Sequence, residues 1–475
     1  MNQKRMSRHA SIRSSRTSLL HSEEDFVTCM TEMCKKFHNP LPVTIIKEYE
    51  RRDTRTQKNR LMKPTCKRVP LAAASVATSH SGTTDDEEVV TLPITTLYDT
   101  QNHLSAIYIT KFQEETIPRD TIHLLALVLP NYQQLRKFTI KRCRIDMYVV
   151  HEIGKILPST TITEVCLDDC PLKKANYEEL LQNTTFLKNL SLCRCNINDE
   201  VCERMAASLH YLESAENSLV TLNLSSNRIG DEGAKNFAEA LRSNRHLRYL
   251  NLANNHISDE GASHIFNILV DFPLTHDENI NRRQRFMVYL KDKLEVHREC
   301  LRKLSLIQKP AEKSISNASR IWSQDKIQVM PPKRSSSSHS QVKRKAKRRG
   351  SSKSISLNVL ISSEDNLLKK AELISGEIVG PFVDPFSPSC VSAEDKPRCF
   401  GNFVLCYLNL AYNDLTILSA KKLLKVVEYQ KSHYNPDAYG LIKVILEGNP
   451  LPVASTELKV LQKMLQQHVK SLQKK

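Results

Sequence analysis

One spacing recurs along this chain and restricts its fold more than any other feature. Apolar residues stand at positions one, four, six and eleven of a frame whose position nine is Asn or Cys. The frame reads Leu135, Phe138, Ile140, Cys143, Ile145, then Ile162, Val165, Leu167, Cys170, Leu172, then Leu187, Leu190, Leu192, Cys195, Ile197. It is cleaner at Leu219, Leu222, Leu224, Asn227, Ile229 and at Leu247, Leu250, Leu252, Asn255, Ile257. It returns late, at Leu405, Leu408, Leu410, Asn413, Leu415 and at Leu441, Val444, Leu446, Asn449, Leu451. A weak copy opens at Leu104, Ile107, Ile109, and a partial one runs Leu301, Leu304, Leu306, with Lys309 in position nine. Self-similarity of this kind marks an array of stacked units.

From 135 to 247 the copies start 27, 25, 32 and 28 residues apart, which leaves room for a strand and a full helix in each. Gly230–Ala234 leads into Phe237, Ala238 and Leu241, and Ser258–Ala262 leads into Ile265 and Leu269. These apolar positions have helical spacing, with acidic residues in the first turn, where the helix dipole favours them. One unit cannot bury its aliphatic face alone. The pattern therefore predicts an α/β fold, a right-handed solenoid of about eight strand-helix repeats. Asn at position nine can bond backbone groups of neighbouring turns that would be costly to leave bare, and Cys is a small substitute that tolerates burial.

The segments Asn223–Leu241 and Leu250–Ala262, the run Phe272–Phe286 and the late copy Tyr407–Leu415 carry a resemblance to the ribonuclease-inhibitor-like class of leucine-rich repeats. It is strong over 135–300 and 403–451 and weak over 1–100. The resemblance implies a horseshoe-shaped interaction scaffold of ciliated or flagellated cells, and it brings no catalytic residues with it. Inhibition of a cationic ribonuclease would need an extensively acidic surface, which the sequence lacks.

Charge divides the chain differently. Residues 1–70 hold 16 Lys/Arg against 7 Asp/Glu, and residues 309–353 hold 13 against 2. The net charge is +17, so two basic arms flank a nearly neutral body. Residues 1–100 read as a basic arm with a linker over 72–90 and a short helix carrying Phe26, Met30, Met33 and Phe37 on one face. A capping box of Ser22 and Asp25 opens that helix. It either caps the solenoid or is a transient helix of a disordered arm. Residues 101–308 form the first repeat block, with a helical insertion over 273–300. Its helix spans 277–299 and carries the heptad-like, coiled-coil-type stripe Ile280, Met287, Leu290, Leu294. Residues 309–400 read as a disordered Lys/Ser-rich insertion, with a short helix around Glu364–Leu373. Residues 401–475 hold the last repeats and a C-terminal helix that covers the end. The insertion is expected to leave the strands at 304 and 408 stacked as neighbours.

Many chemistries lack the residues they need. No two of the 11 glycines are two apart, so no G-x-G phosphate or dinucleotide turn exists, and neither G-x-S-x-G nor H-E-x-x-H occurs. No enzyme activity and no cofactor are expected. Thirteen cysteines, an odd number, without a secretory leader suggest reduced thiols in the cytoplasm or nucleus. Cys166, Cys170, Cys193 and Cys195 resemble a metal cluster by eye. Their frame positions instead put Cys143, Cys170 and Cys195 in a buried column and Cys166 on the exposed concave face, so no metal is expected.

The concave face is the default binding surface of such an array. The candidate partner-binding residues there are Glu164, Asn189, Thr221, Asn223, Tyr249, Asn251, Tyr407, Asn409 and Tyr412. The tyrosines are the natural anchors. Lys333, Arg334, Lys343, Arg344, Lys345, Lys347, Arg348 and Arg349 form a basic tract without an acid or an aromatic residue. It suits an acidic polymer (tubulin tails, nucleic acid, anionic lipid), nuclear import, or simply a solvated linker. Ser351 follows Arg348 and Arg349 as a basic-directed kinase would require, and its phosphate would weaken the tract. The reading that results is a cytoplasmic scaffold that binds protein partners, with microtubules or an axoneme as the polymer. A nuclear or nucleic-acid-associated regulator is the alternative.

Overall fold

The computed structural model describes residues 25–50, 90–182, 186–308, 355–386, 391–392, 397–433, 439–452 and 455–473. The whole basic tract, Ser351, Ser22 and most of the 72–90 linker lie outside the described residues. The chain divides into two compact units, residues 1–274 with 388–475, and residues 275–387.

The first unit begins with helix α1 (Phe26–Lys36) and strands β1 (Val43–Tyr49), β2 (Leu92–Tyr98) and β3 (Leu104–Thr110). Helix α2 (Arg119–Val128), β4 (Lys137–Lys141), α3 (Met147–Ile156), β5 (Glu164–Cys166) and β6 (Asn189–Ser191) follow. Next come α4 (Asp199–Ala207), β7 (Thr221–Asn223), α5 (Asp231–Ser243), β8 (Tyr249–Asn251), α6 (Asp259–Asn267) and β9 (Phe272–Pro273). The second unit holds α7 (His276–Gln308) and α8 (Ile355–Val379). The chain then returns to the first unit with β10 (Arg398–Cys399), β11 (Tyr407–Asn409), α9 (Ile417–Ser432), β12 (Lys443–Ile445) and α10 (Thr456–Gln473).

Ten strands form one sheet in the order β1 to β8, then β11, then β12. Every neighbouring pair is parallel except β2 with β3. The register follows the frame, because position four aligns from strand to strand as Phe138, Val165, Leu190, Leu222, Leu250, Leu408 and Val444. The weak copy joins in register, with Ile107 opposite Phe138. Leucines at positions one, four and six are sealed between strands and helices. Leu219, Leu222, Leu224, Leu250, Leu252, Leu408 and Leu410 are all 0% exposed.

Several expectations need correction. The partial copy is not a repeat: Leu301, Leu304 and Leu306 lie on α7, which runs on past the predicted 299 to Gln308. Without an Asn or Cys at position nine, and with Arg298, Glu299, Arg302 and Lys303 around Leu301, helical propensity prevails. β8 therefore pairs directly with β11, so 304 and 408 are not neighbouring strands. The insertion 309–400 also holds more order than expected, because α8 begins at Ile355 and β10 pairs with β9. On α7 the aliphatic stripe is exposed: Ile280, Met287, Leu290 and Leu294 are 38–55% accessible. A different face meets α8 and the residues after it. There Tyr289 Oη donates to the Gly380 carbonyl (2.9 Å) and Arg285 pairs with buried Asp384.

The arm does not extend to residue 100, since β1 and β2 belong to the sheet. In β2, Leu92, Ile94, Thr96 and Tyr98 are buried in strict alternation, a period of two that the eleven-position frame does not sample. Helix α1 buries Phe26, Cys29 and Met30, and Phe26 meets Tyr132 edge-on at 5.6 Å, whereas Phe37 of the expected face lies past its end and is exposed. Asp25 makes no capping bond. It pairs instead with Lys47 and accepts from Tyr98 Oη.

Candidate functional site

Two polar columns hold the repeats in register and so position the strand face. The first is position nine. Asn255 Oδ1 accepts the N–H groups of Asn227 (3.2 Å) and Ile229 (3.1 Å) in the preceding turn. Its Nδ2 donates to the carbonyls of Leu224 and Leu252. Asn227 and Asn449 repeat the scheme, and Asn413 donates to Leu252 and Leu410. The column thus passes from Asn255 to Asn413 with no rung from the second unit. The earlier cysteines fill the same sites, their thiols donating to Ile109 (3.6 Å), Ile140 (3.6 Å) and Leu167 (3.0 Å). Burial pushes the Cys170 thiol up to about 12 and raises Cys143 and Cys195 as well, so these sulfurs stay protonated and inert.

The second column was not anticipated. Asp231, at the start of α5, accepts the N–H groups of Ser258 (2.8 Å) and Gly261 (3.0 Å) in the next repeat. Asp199 does the same for Gly230, and Asp259 for Thr416 and Ser419. A Cβ on Gly261 would stand 2.3 Å from Asp231 Oδ1, and one on Gly233 would stand 2.5 Å from Asp199 Oδ1, which explains the two glycines. Asp at 199, 231 and 259, with Gly at 233 and 261, was the available sequence signal.

At position eight the backbone turns left-handed in every rung, at Lys111, Arg142, Asp169, Arg194, Ser226, Asn254, Tyr412 and Gly448, with φ between 54° and 75°. Only the last of these is glycine. The rest adopt a conformation costing about 1 kcal/mol each, and the stacked frame enforces it.

On this scaffold the predicted face splits in two. Over β4–β6 the charges are neutralised from rung to rung: Lys137 pairs with Glu164 (3.2 Å), Lys141 with Asp168 (3.2 Å), and Asp169 with both Arg142 (3.5 Å) and Arg194 (3.1 Å). Burial alone would raise the Asp168 carboxyl. Ser191 Oγ, the Cys193 N–H and Lys141 nevertheless hold it below the usual carboxylate range. Cys166 does not lie on the exposed face. It is 9% accessible, and burial followed by Asp168 pushes its thiol up to about 11. Thr139 at the same position is also buried. Among the described residues no three His, Cys, Asp or Glu side chains converge as a metal site.

From β7 to β12 the face changes character. As far as β11, Thr221, Ser225, Ser226, Asn254 and the half-buried Asn223, Asn251 and Asn409 make it small and uncharged, and β12 adds Lys443 and Glu447. The three position-five asparagines are partly structural, because each Oδ1 accepts its own position-seven N–H (Ser225, Ala253, Ala411; 3.0–3.2 Å). Above them stand the tyrosines. Tyr249 (45% exposed) and Tyr407 have ring centres 5.8 Å apart, and Lys443 lies over the Tyr407 ring. Tyr412 is 62% exposed, and its ring rests on Gly448, where any Cβ would come within 2.3 Å of it. Glu164 and Asn189 belong to the charged half and do not join this cluster. Gly448 was missed, although its rarity and its place opposite Tyr412 were legible.

The family described as Leucine Rich repeat matches residues 216–238 and 243–266, the rungs of β7 with α5 and β8 with α6. No curated protein matches the chain. Among the described residues no helix is long and apolar enough to cross a membrane. The two matched rungs are leucine-rich repeats, and the same frame and parallel register run on from them to β12.

Proposed function

We propose that the protein is a non-catalytic interaction scaffold that grips a protein partner on the strand face from β7 to β12. The repeats curve into a right-handed horseshoe of about eight units with this face concave. Tyr249, Tyr407 and Tyr412 anchor the partner, while Thr221, Asn223, Asn251 and Asn409 supply the small polar surround and Glu164 and Asn189 the margin. The observation that carries this reading is the exposure of Tyr249 and Tyr412, with the half-buried Tyr407 beside Tyr249, on a face otherwise small and uncharged from β7 to β11. Aromatic side chains of this kind dominate interface energetics. The basic tract Lys333–Arg349 attaches the scaffold to an acidic polymer, the microtubules of an axoneme, with Ser351 phosphorylation loosening it. The same cationic tract also supports a second reading, a nuclear, nucleic-acid-associated regulator.

Crosslinking mass spectrometry in ciliated tissue is expected to put partner crosslinks beside β7–β12. Replacing Tyr249, Tyr407 and Tyr412 together by Ala should weaken the partner roughly 100-fold and leave the melting temperature unchanged. Unchanged affinity would sink the reading. A fluorescent fusion lacking 333–349 should leave the axoneme. If it leaves the nucleus instead, the second reading replaces the first.

A further inference from the structure

The last rung, β12 with α10, differs from those before it. At position four Leu222, Leu250 and Leu408 are 0% exposed, whereas Val444 is half-buried. At position eleven Ile229, Ile257 and Leu415 are sealed, whereas Leu451 is half-buried. Beyond them opens a cavity of about 1110 Å³, lined on its apolar side by Val444, Leu446, Leu451, Leu458, Leu465 and Val469. The C-terminal helix was expected to cover this end. It packs instead beside α9 as the helix of its own rung and leaves the end open.

The backbone is open there too. In interior rungs the position-six N–H donates to the position-five carbonyl of the next strand, Leu252 to Asn409 and Leu410 to Ile445, each at 2.9 Å. β12 is the last strand of the sheet. Lys443 N–H and Ile445 C=O point inward to β11. By alternation Val444 N–H and C=O, and by the interior pattern Leu446 N–H, point outward.

We propose that a second copy of the chain occupies this edge, β12 pairing antiparallel with its counterpart about a two-fold axis through Ile445. In that register the Leu446 N–H of each copy donates to the Val444 carbonyl of the other, and Ile445 meets its counterpart as a non-hydrogen-bonded pair. Lys443 and Glu447, both exposed, then stand opposite each other across the axis, twice. Centring the axis on Val444 or Leu446 would set Lys443 against Ile445 or Asn449 and lose both ion pairs. Charge complementarity therefore selects both a self-partner and one register. The two α10 helices fall on the same side of the joined sheet, where Leu458, Leu465 and Val469 of each copy close the cavities. The contact is isologous and leaves no free edge at this end.

Sedimentation of the full chain should show a dimer at micromolar concentration. Lys443→Glu and Glu447→Lys, each placing like charges across the axis, should each raise the dimer Kd at least tenfold, and the two together should restore it. Oxidation of Ile445→Cys should give a covalent dimer that wild type and Asn254→Cys do not give, because a non-hydrogen-bonded antiparallel pair brings Cα atoms within disulfide reach. A monomer at every concentration overturns the proposal. So does a dimer that ignores Lys443→Glu, one the double variant fails to restore, or one that Ile445→Cys cannot lock.

Discussion

The rungs of β4–β6 and those of β7–β12 share one frame but are fastened in different ways. In the first set a thiol fills position nine and makes bonds of 3.0–3.6 Å to carbonyls. Neighbouring rungs are tied again on the strand face by Lys137–Glu164, Lys141–Asp168 and the Arg142–Asp169–Arg194 group. In the second set an amide both donates and accepts in the buried column, and aspartates at the helix starts add a second tie. Its strand face carries few charges to satisfy and can present tyrosines. Where buried amides hold the rungs together, the surface is free to serve another molecule.

The comparison breaks first at the column. Asn255→Ala removes two acceptor and at least two donor bonds in a buried site and should cost about 3–5 kcal/mol, read from the denaturant midpoint. Cys170→Ala, which removes one long thiol bond and a small volume, should cost about 1–2 kcal/mol. Equal costs would mean that the two sets are fastened alike. Next in size is Gly261→Ala. Its Cβ would meet Asp231 Oδ1 at 2.3 Å and the Asp231 Cα at 2.9 Å, so the helix start must shift, at about 2–3 kcal/mol. The rung of α9 shows the tolerated alternative, since Ser419 replaces the glycine and donates its hydroxyl to Asp259.

How much of this was legible in sequence follows the physical range of each signal. The frame is local and periodic, so Leu222, Leu250 and Leu408 announce both their burial and their register. The tyrosines at 249, 407 and 412 could be set on the strand face by counting alone. Asp231 to Gly261 is a contact between repeats, visible only when two copies are aligned with their helices included. The 301–306 copy deceived because leucines three apart suit a helix face as well as a strand, while Leu306, five on, falls off that face and is 58% exposed. What decided it was the missing Asn, not the apolar spacing. The strands β1 and β2 obey a different period from the frame and were passed over for that reason.

The helix side of the first set supplies a test of its ionic character. Glu152 on α3 is 1% exposed and receives Arg119 (2.8 Å), His123 (3.1 Å) and Lys155 (3.0 Å). Burial would raise its carboxyl, but the hydrogen bonds from His123, Lys155 and Arg119 prevail and hold it near 2, against 4.5 for the free group. The folded value lies below the unfolded one. The stabilisation is therefore complete above about pH 4.5 and is lost as the pH falls toward 2. Glu152→Gln should cost about 1–2 kcal/mol at neutral pH and flatten the acid limb of the stability profile. An acid limb unchanged by that substitution would show that the ionic ties of this half contribute nothing at Glu152.

The smallest effect on stability should fall at the proposed binding face. Gly448 has φ +75°, and its open Cβ position is filled by the Tyr412 ring. Gly448→Ala must adopt a left-handed backbone and push that ring aside. The backbone alone should cost about 1 kcal/mol, because seven rungs already hold non-glycine residues in this conformation. The ring lies in solvent on one side and can move at little further cost. The variant should therefore melt within a few degrees of wild type and still lose partner affinity, since Tyr412 no longer stands where its seat held it. Tyr412→Ala alone is the matched control. If Gly448→Ala binds as wild type while Tyr412→Ala does not, the ring's chemistry matters but its seat does not, and the contrast between the two halves reduces to composition.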